Sequence, residues 1–247
     1  MDIGTLAIDD YIGNGGGMLN LGNMIAGGQN FYWGASANVP GYAGANTHAP
    51  TMAMDSRNTQ VTKAALINTS SSYGNREYCD FVYYGGHGIY GKPFLGDFPG
   101  YGYVNPADMN FGVGYNRWLL ANSCSLFNGG APATVWQPAF KGLKAMLGFR
   151  SFVFDNNKSW ELSNDFWANW TFREKSLMIS FFDAETNYGY KHLYPTKGLE
   201  PGCLSAQYTT PDWDYCREFF RLVAHDYNKA PSNTGNYYTR VIGSPQY

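Results

Sequence analysis

Three short apolar runs punctuate the chain, at residues 78–85, 117–123 and 144–154. None alternates strictly between apolar and polar positions. Each is short, rich in aromatic or branched residues and ended by glycine or polar residues, as expected of strands buried on both faces. Around them the pattern changes to helical spacing. Leu162, Phe166 and Trp170 recur at four-residue intervals after Ser159, which predicts a helix over 159–172 with Ser159 as its cap. Thr210-Pro211-Asp212 is a helix start, with a capping hydroxyl, proline at the first helical position and an acid in the first turn. The predicted helix runs to Asn228, with Trp213, Cys216, Phe220, Val223 and Tyr227 along one stripe.

The remaining pattern fills in around these anchors. Residues 5–12 read as a first strand, 13–17 as a glycine-rich break and 19–33 as a glycine-weakened helix. Residues 38–54 read as loop. Ser56 is expected to cap a helix over 57–68 that faces Val61, Ala65 and Leu66 inward. Residues 88–116 predict a long ordered loop with a hairpin, of the length that usually carries function. Short helices are expected at 135–141 and 175–186, and a last strand at 237–242. Strands alternating with helices imply an α/β fold with a mainly parallel central sheet, covered by helices on both faces. No internal repeat or linker is visible, so 1–247 is read as one domain, with 187–247 a C-terminal extension packed on it.

Composition supports this picture and narrows the function classes. Hydrophobic residues make up 44% of the 247, enough for a sizeable core. A net charge of -2 gives no electrostatic footprint for nucleic acid or an anionic membrane. No apolar run reaches the roughly 18 residues of a transmembrane helix, and no signal peptide is visible. Scarce charge, with Asn, Gly and Tyr in the loops, is commoner in exported or envelope proteins than in cytosolic enzymes. Asn-x-Ser/Thr triplets start at Asn68, Asn157 and Asn169. Four cysteines are too few for a disulfide scaffold in a chain of this length, although Cys203 and Cys216 can bridge in an oxidising compartment. His192, Cys203, Cys216 and His225 match no compact zinc spacing, so no metal or cofactor is expected. The 13–17 glycines lack the phosphate-loop pattern.

The candidate chemistry sits where the apolar runs stop. Phe81-Val82-Tyr83-Tyr84-Gly85-Gly86 leads into His87-Gly88, and Trp118-Leu119-Leu120-Ala121-Asn122-Ser123 leads into Cys124. In an open α/β sheet, active groups gather at the carboxyl ends of the strands. A histidine there can take the proton of a thiol nucleophile. The backbone N–H groups of Gly88 and Cys124 are candidate donors to an oxyanion. Asp155, after the third run, begins Asp-Asn-Asn, the composition of a strand-end turn. Arg150 selects an acidic group or pairs with a carboxylate.

An apolar strand ending in His-Gly, followed by one ending in Cys, resembles the caspase-like cysteine peptidases, which include caspases, legumains, gingipains, clostripain and separase. Residues 142–150 (Gly-Leu-Lys-Ala-Met-Leu-Gly-Phe-Arg) are similar to the helix-to-strand passage after the catalytic cysteine in that group. More closely, the chain resembles an uncharacterised bacterial domain family that shares these strands. The resemblance covers roughly residues 78–185. It implies a caspase-like three-layer sandwich, with His87 as general base, Cys124 as nucleophile, and Gly88 and Cys124 N–H as oxyanion donors. It also implies that Asp155 lies where specificity pockets form, where a buried carboxylate would favour a basic substrate side chain. A peptide or protein substrate is the implied partner, with no cofactor. Ser123 departs from the small apolar residue or Gln-Ala pair found before the cysteine in many members, and no processing site for a two-chain form is evident. The competing expectation is an inert member of the fold that binds a partner through its aromatic loops.

Overall fold

The computed structural model describes residues 1–12, 18–20, 23–39, 50–67, 78–89, 91–95, 102–127, 132–151, 153, 158–192, 200–208 and 233–241. Its frame is a seven-stranded sheet built from Asp2–Ala7 (β1), Thr51–Arg57 (β4), Phe81–Gly85 (β5), Trp118–Asn122 (β8), Ala145–Phe149 (β9), Pro201–Tyr208 (β10) and Asn233–Val241 (β11). Their order is β11-β10-β9-β8-β5-β1-β4. The run from β4 to β9 is parallel, whereas β10 pairs antiparallel with both β9 and β11. The fold is therefore mixed α/β with a mainly parallel central sheet. Asp10–Ile12 (β2) pairs with Met18–Asn20 (β3), and His87–Ile89 (β6) with Lys92–Phe94 (β7), as two separate ribbons.

Burial follows strand position. Every residue of β5, β8 and β9 is buried, as a strand covered on both faces requires. Successive side chains feed opposite faces. Phe81, Tyr83, Trp118 and Leu120 join the core under helices Met24–Asn38 (α1), Ser159–Thr171 (α4) and Leu177–His192 (α5). Val82, Tyr84, Leu119 and Ala121 pack on the other face with Leu66 of Lys63–Ile67 (α2) and Trp136 of Pro132–Trp136 (α3). The first face is strongly aromatic. Trp167 stands 5.1 Å from Phe31, 5.2 Å from Phe166 and 5.7 Å from Phe81, ring centroid to centroid. Its indole N–H donates to the Phe31 carbonyl at 3.0 Å.

Several local expectations are corrected. The stretch 5–12 is two elements, β1 and β2. The first helix begins at Met24 rather than residue 19 and continues to Asn38. Its glycines are contact points: a Cβ on Gly27 would stand 2.6 Å from the Tyr83 hydroxyl, and one on Gly34 would stand 3.0 Å from the Ser163 carbonyl. Close approach of α1 to the sheet and to α4 outweighs the poor helix propensity of glycine. The supposed loop 38–54 ends in β4, and Ser56 lies inside that strand rather than capping a helix. Only Lys63–Ile67 is α-helical there, although Val61, Ala65 and Leu66 are buried as expected. Ser159 is the first residue of α4, but no side chain caps that helix. β10 has no counterpart among the expected elements, and with β11 it brings part of 187–247 into the main sheet. The 88–116 segment does contain a hairpin, β6–β7. The predicted helix 210–228 lies outside the described residues, as does the 13–17 break.

Cys203 in β10 is disulfide-bonded, whereas Cys79 and Cys124 are not. Cys216, the expected partner, lies outside the described residues. Asn169 is fully buried in α4, which removes it as a glycosylation acceptor. No described helix is long and apolar enough to cross a membrane.

Candidate active site

β5 and β8 are parallel neighbours in register, with Gly85 opposite Asn122. His87 and Cys124 each follow two residues after that pair, so both leave the sheet at its carboxyl edge. The two exits stay together beyond the sheet. Gly86 N–H donates to the Asn122 carbonyl at 3.3 Å, and Gly91 N–H to the Ser125 carbonyl at 3.0 Å. Between these points Gly88 lies directly on the cysteine loop. A Cβ added to it would stand 2.3 Å from Ser123 Oγ and 2.6 Å from the Cys124 carbonyl oxygen. Only a residue without a side chain permits this approach.

The cysteine turn is held from its other side by the segment after β9. Ser125 N–H donates to the Ser151 carbonyl at 2.8 Å, and Phe127 N–H to the Phe149 carbonyl at 2.9 Å. Ser125 takes φ 54°, the left-handed region that non-glycine residues seldom occupy. This kink turns the chain sharply after Cys124. The thiol is half-buried and hydrogen-bonds with Val153: Sγ accepts its N–H at 3.2 Å and donates to its carbonyl at 3.5 Å. Those bonds go to Val153 rather than to the imidazole. His87 is also half-buried, and its carbonyl accepts the Tyr84 hydroxyl at 3.2 Å.

The electrostatics of both groups follow from burial. Removal from water pushes the Cys124 thiol above the ordinary cysteine value, and the Val153 N–H offsets only part of that rise. Burial lowers His87. Both shifts favour the neutral forms, so the resting site holds a thiol and a neutral imidazole rather than a thiolate–imidazolium pair.

Arg150 lies just past β9, exposed, and its Nε donates to Glu200 Oε2 at 2.7 Å. It takes the second of its two expected roles, pairing with a carboxylate. Asp155 lies outside the described residues. Among the described residues no group of three or more His, Cys, Asp or Glu side chains could hold a metal ion.

Two polar residues beside this edge were not anticipated. Asn122 ends β8 with its side chain buried beneath the sheet edge, Nδ2 donating to the Tyr83 hydroxyl at 2.9 Å. Glu185 of α5 is 2% exposed. It falls four residues after Phe181 and eight after Leu177, on the buried stripe of its helix, and that spacing was the available signal.

Replacing Gly88 by alanine is expected to separate the two loops, because a carbonyl oxygen cannot rotate away from the new methyl as a side chain would. Overpacking of this kind costs about 1–3 kcal/mol. A fall in the melting midpoint, together with changed alkylation kinetics at Cys124, checks this. Wild-type values for both would show that the approach is not tight.

The comparison with curated proteins finds no match. The family model of a domain of unknown function, DUF6345, matches residues 43–187, more than half of the chain, including both strand exits. The chain therefore belongs to the DUF6345 family, a domain whose function is unknown.

Proposed function

We propose that the protein is a cysteine-type hydrolase of caspase-like fold that cleaves a peptide or other amide bond through an acyl-enzyme. The observation that carries this reading is the in-register pairing of β5 and β8, which sends His87 and Cys124 off one sheet edge side by side. Cys124 Sγ attacks the amide carbonyl carbon as His87 takes the thiol proton. The negative charge on oxygen rests on the N–H groups of Gly88 and Cys124. The carbon–nitrogen bond then breaks, and the amine leaves with the proton held by His87. Water adds to the thioester, again deprotonated by His87, and releases the acid and the free thiol. No cofactor enters this cycle. Because Cys124 starts bonded to Val153, substrate must draw the sulfur from that bond toward the imidazole. Catalytic contacts of free enzymes commonly tighten only on binding.

The same Val153 bonds favour a second reading, an inert member of the fold that binds a partner and keeps its cysteine locked. The two are separated by incubating the protein with a fluorogenic peptide library and with a panel of activated acyl esters. The enzyme reading expects cleavage of at least one library member and an acyl adduct on the peptide that contains Cys124, both lost in Cys124→Ala. If nothing is cleaved and no adduct forms at Cys124, the inert reading stands.

A further inference from the structure

On the α1–α4–α5 face, beneath the carboxyl ends of β5 and β8, lies a narrow pocket with about 320 Å³ of empty space, its mouth included. Only a water-sized group can be centred in it. Phe31, Leu120, Phe166 and Phe181 form much of its wall, so the polar lining is conspicuous: Glu185, Asn122, Tyr83, Ser159 and Ser163. Asn122 Nδ2 is committed to the Tyr83 hydroxyl, but Asn122 Oδ1 is buried without a hydrogen-bond partner among the described residues. Glu185 is 2% exposed, and burial alone acts on its carboxyl, with no hydrogen bond or charge from a described residue offsetting it. Among the described lining residues none is Lys, Arg or His, and Tyr83 is the only other titratable group facing Glu185 from α1, β5, β8 or α4. Unmet buried acceptors of this kind are costly unless something donates to them.

We propose that this pocket is a binding site for a small monovalent cation, ammonium or an alkali ion, held between the Glu185 carboxylate and Asn122 Oδ1 with the serine hydroxyls beside them. The size fits a group no larger than water. The charge fits one positive ion, because a single carboxylate would leave a divalent ion with uncompensated buried charge. Hard oxygen donors suit such an ion, and the described lining residues include no soft ligand. Burial pushes empty Glu185 well above the usual carboxylate range, so the acid is protonated when the cation arrives. Binding is then an exchange: the carboxyl releases its proton to solvent and the cation takes its place. Proton competition makes apparent affinity rise about tenfold per pH unit while empty Glu185 remains protonated.

The test uses the full chain exchanged into choline chloride, whose cation is too large for the pocket. Ammonium, sodium and potassium chloride are titrated separately at constant ionic strength, and the thermal midpoint and proton release are followed. At least one ion is expected to raise the midpoint logarithmically, by about 3–5 °C per tenfold in concentration above its dissociation constant. About one proton should leave per ion bound, and both effects should vanish in Glu185→Gln. Which salt acts distinguishes ammonium from an alkali ion. Responses equal to choline for all three salts, or a full response in Glu185→Gln, overturn the proposal. If that variant does not fold, crystals of the wild-type protein soaked in thallium(I) decide: an anomalous peak between Glu185 and Asn122 supports the site, and its absence overturns it. This site does not depend on the hydrolase reading, because none of its readouts involves Cys124 or His87.

Discussion

Replacing His87 by alanine is expected to slow acylation of Cys124 at pH 7 by about 10²–10⁴-fold, the usual range for a positioned base. The pH dependence is the sharper part of this expectation. Burial lowers His87 and raises Cys124, so both are neutral near pH 7. A neutral imidazole can act as base and an imidazolium cannot. Acylation by an activated ester should therefore rise with pH through the His87 titration, which lies below the ordinary histidine value of about 6.5, and then level off. In His87→Ala the plateau should vanish, and the remaining rate should climb about tenfold per pH unit until the thiol ionises above the ordinary cysteine range. Iodoacetamide reacts through the thiolate, which the raised Cys124 thiol makes scarce, so it should label wild-type Cys124 more slowly at pH 7 than an exposed cysteine. Stopped-flow acylation and peptide-resolved labelling from pH 5 to pH 10 measure both. Fast labelling independent of pH between 5 and 8 would reveal a preformed thiolate–imidazolium pair and overturn the neutral-pair mechanism. An unchanged acylation profile in His87→Ala would remove His87 from the chemistry.

The sheet's centre was legible because its strands obey one dominant force. β5, β8 and β9 are buried on both faces, so their sequences are near-continuous apolar runs that no helix of such length explains. The edges were less readable. β4 exposes Thr51, Asp55 and Arg57 along its outer course, and its Ser56 imitates a helix cap. β10 begins Pro-Gly-Cys, which reads as loop, yet its antiparallel pairing with β9 is a long-range contact that no local pattern encodes. In α1, glycine lowers helix propensity but permits the approach to Tyr83 and Ser163. The same asymmetry holds at the site. Strand-end residues mark where His87 and Cys124 emerge. The Val153 bonds to the thiol and the pocket beneath Asn122 arise from segments distant in sequence, and only the fold joins them.

What holds that edge in place can be removed by one substitution. Trp167→Ala is expected to destabilise the chain by about 3–5 kcal/mol, the range for deleting a fully buried large aromatic side chain. Trp167 is 0% exposed and packs on rings of α1, β5 and α4 at once. Its indole N–H also bonds the Phe31 carbonyl, so the cavity would take an inter-helix hydrogen bond with it. Collapse cannot readily refill the space, because Gly34 already brings α1 against the Ser163 backbone and α4 has no closer position to move to. For a chain of this size each kcal/mol shifts the melting midpoint by about 2–4 °C, which places the expected fall between about 6 and 20 °C. Trp160→Ala supplies the comparison. Trp160 lies on the same helix but is 52% exposed, and such surface changes stay within about 0.5 kcal/mol. Thermal and urea unfolding of the two variants should therefore differ by several degrees and by a clear change in midpoint. Equal shifts would mean that the aromatic face does not carry the stability assigned to it. A large fall confined to Trp167→Ala would place the support of the β5 and β8 ends in the packing of α1 and α4 behind them, on the face that also lines the Glu185 pocket.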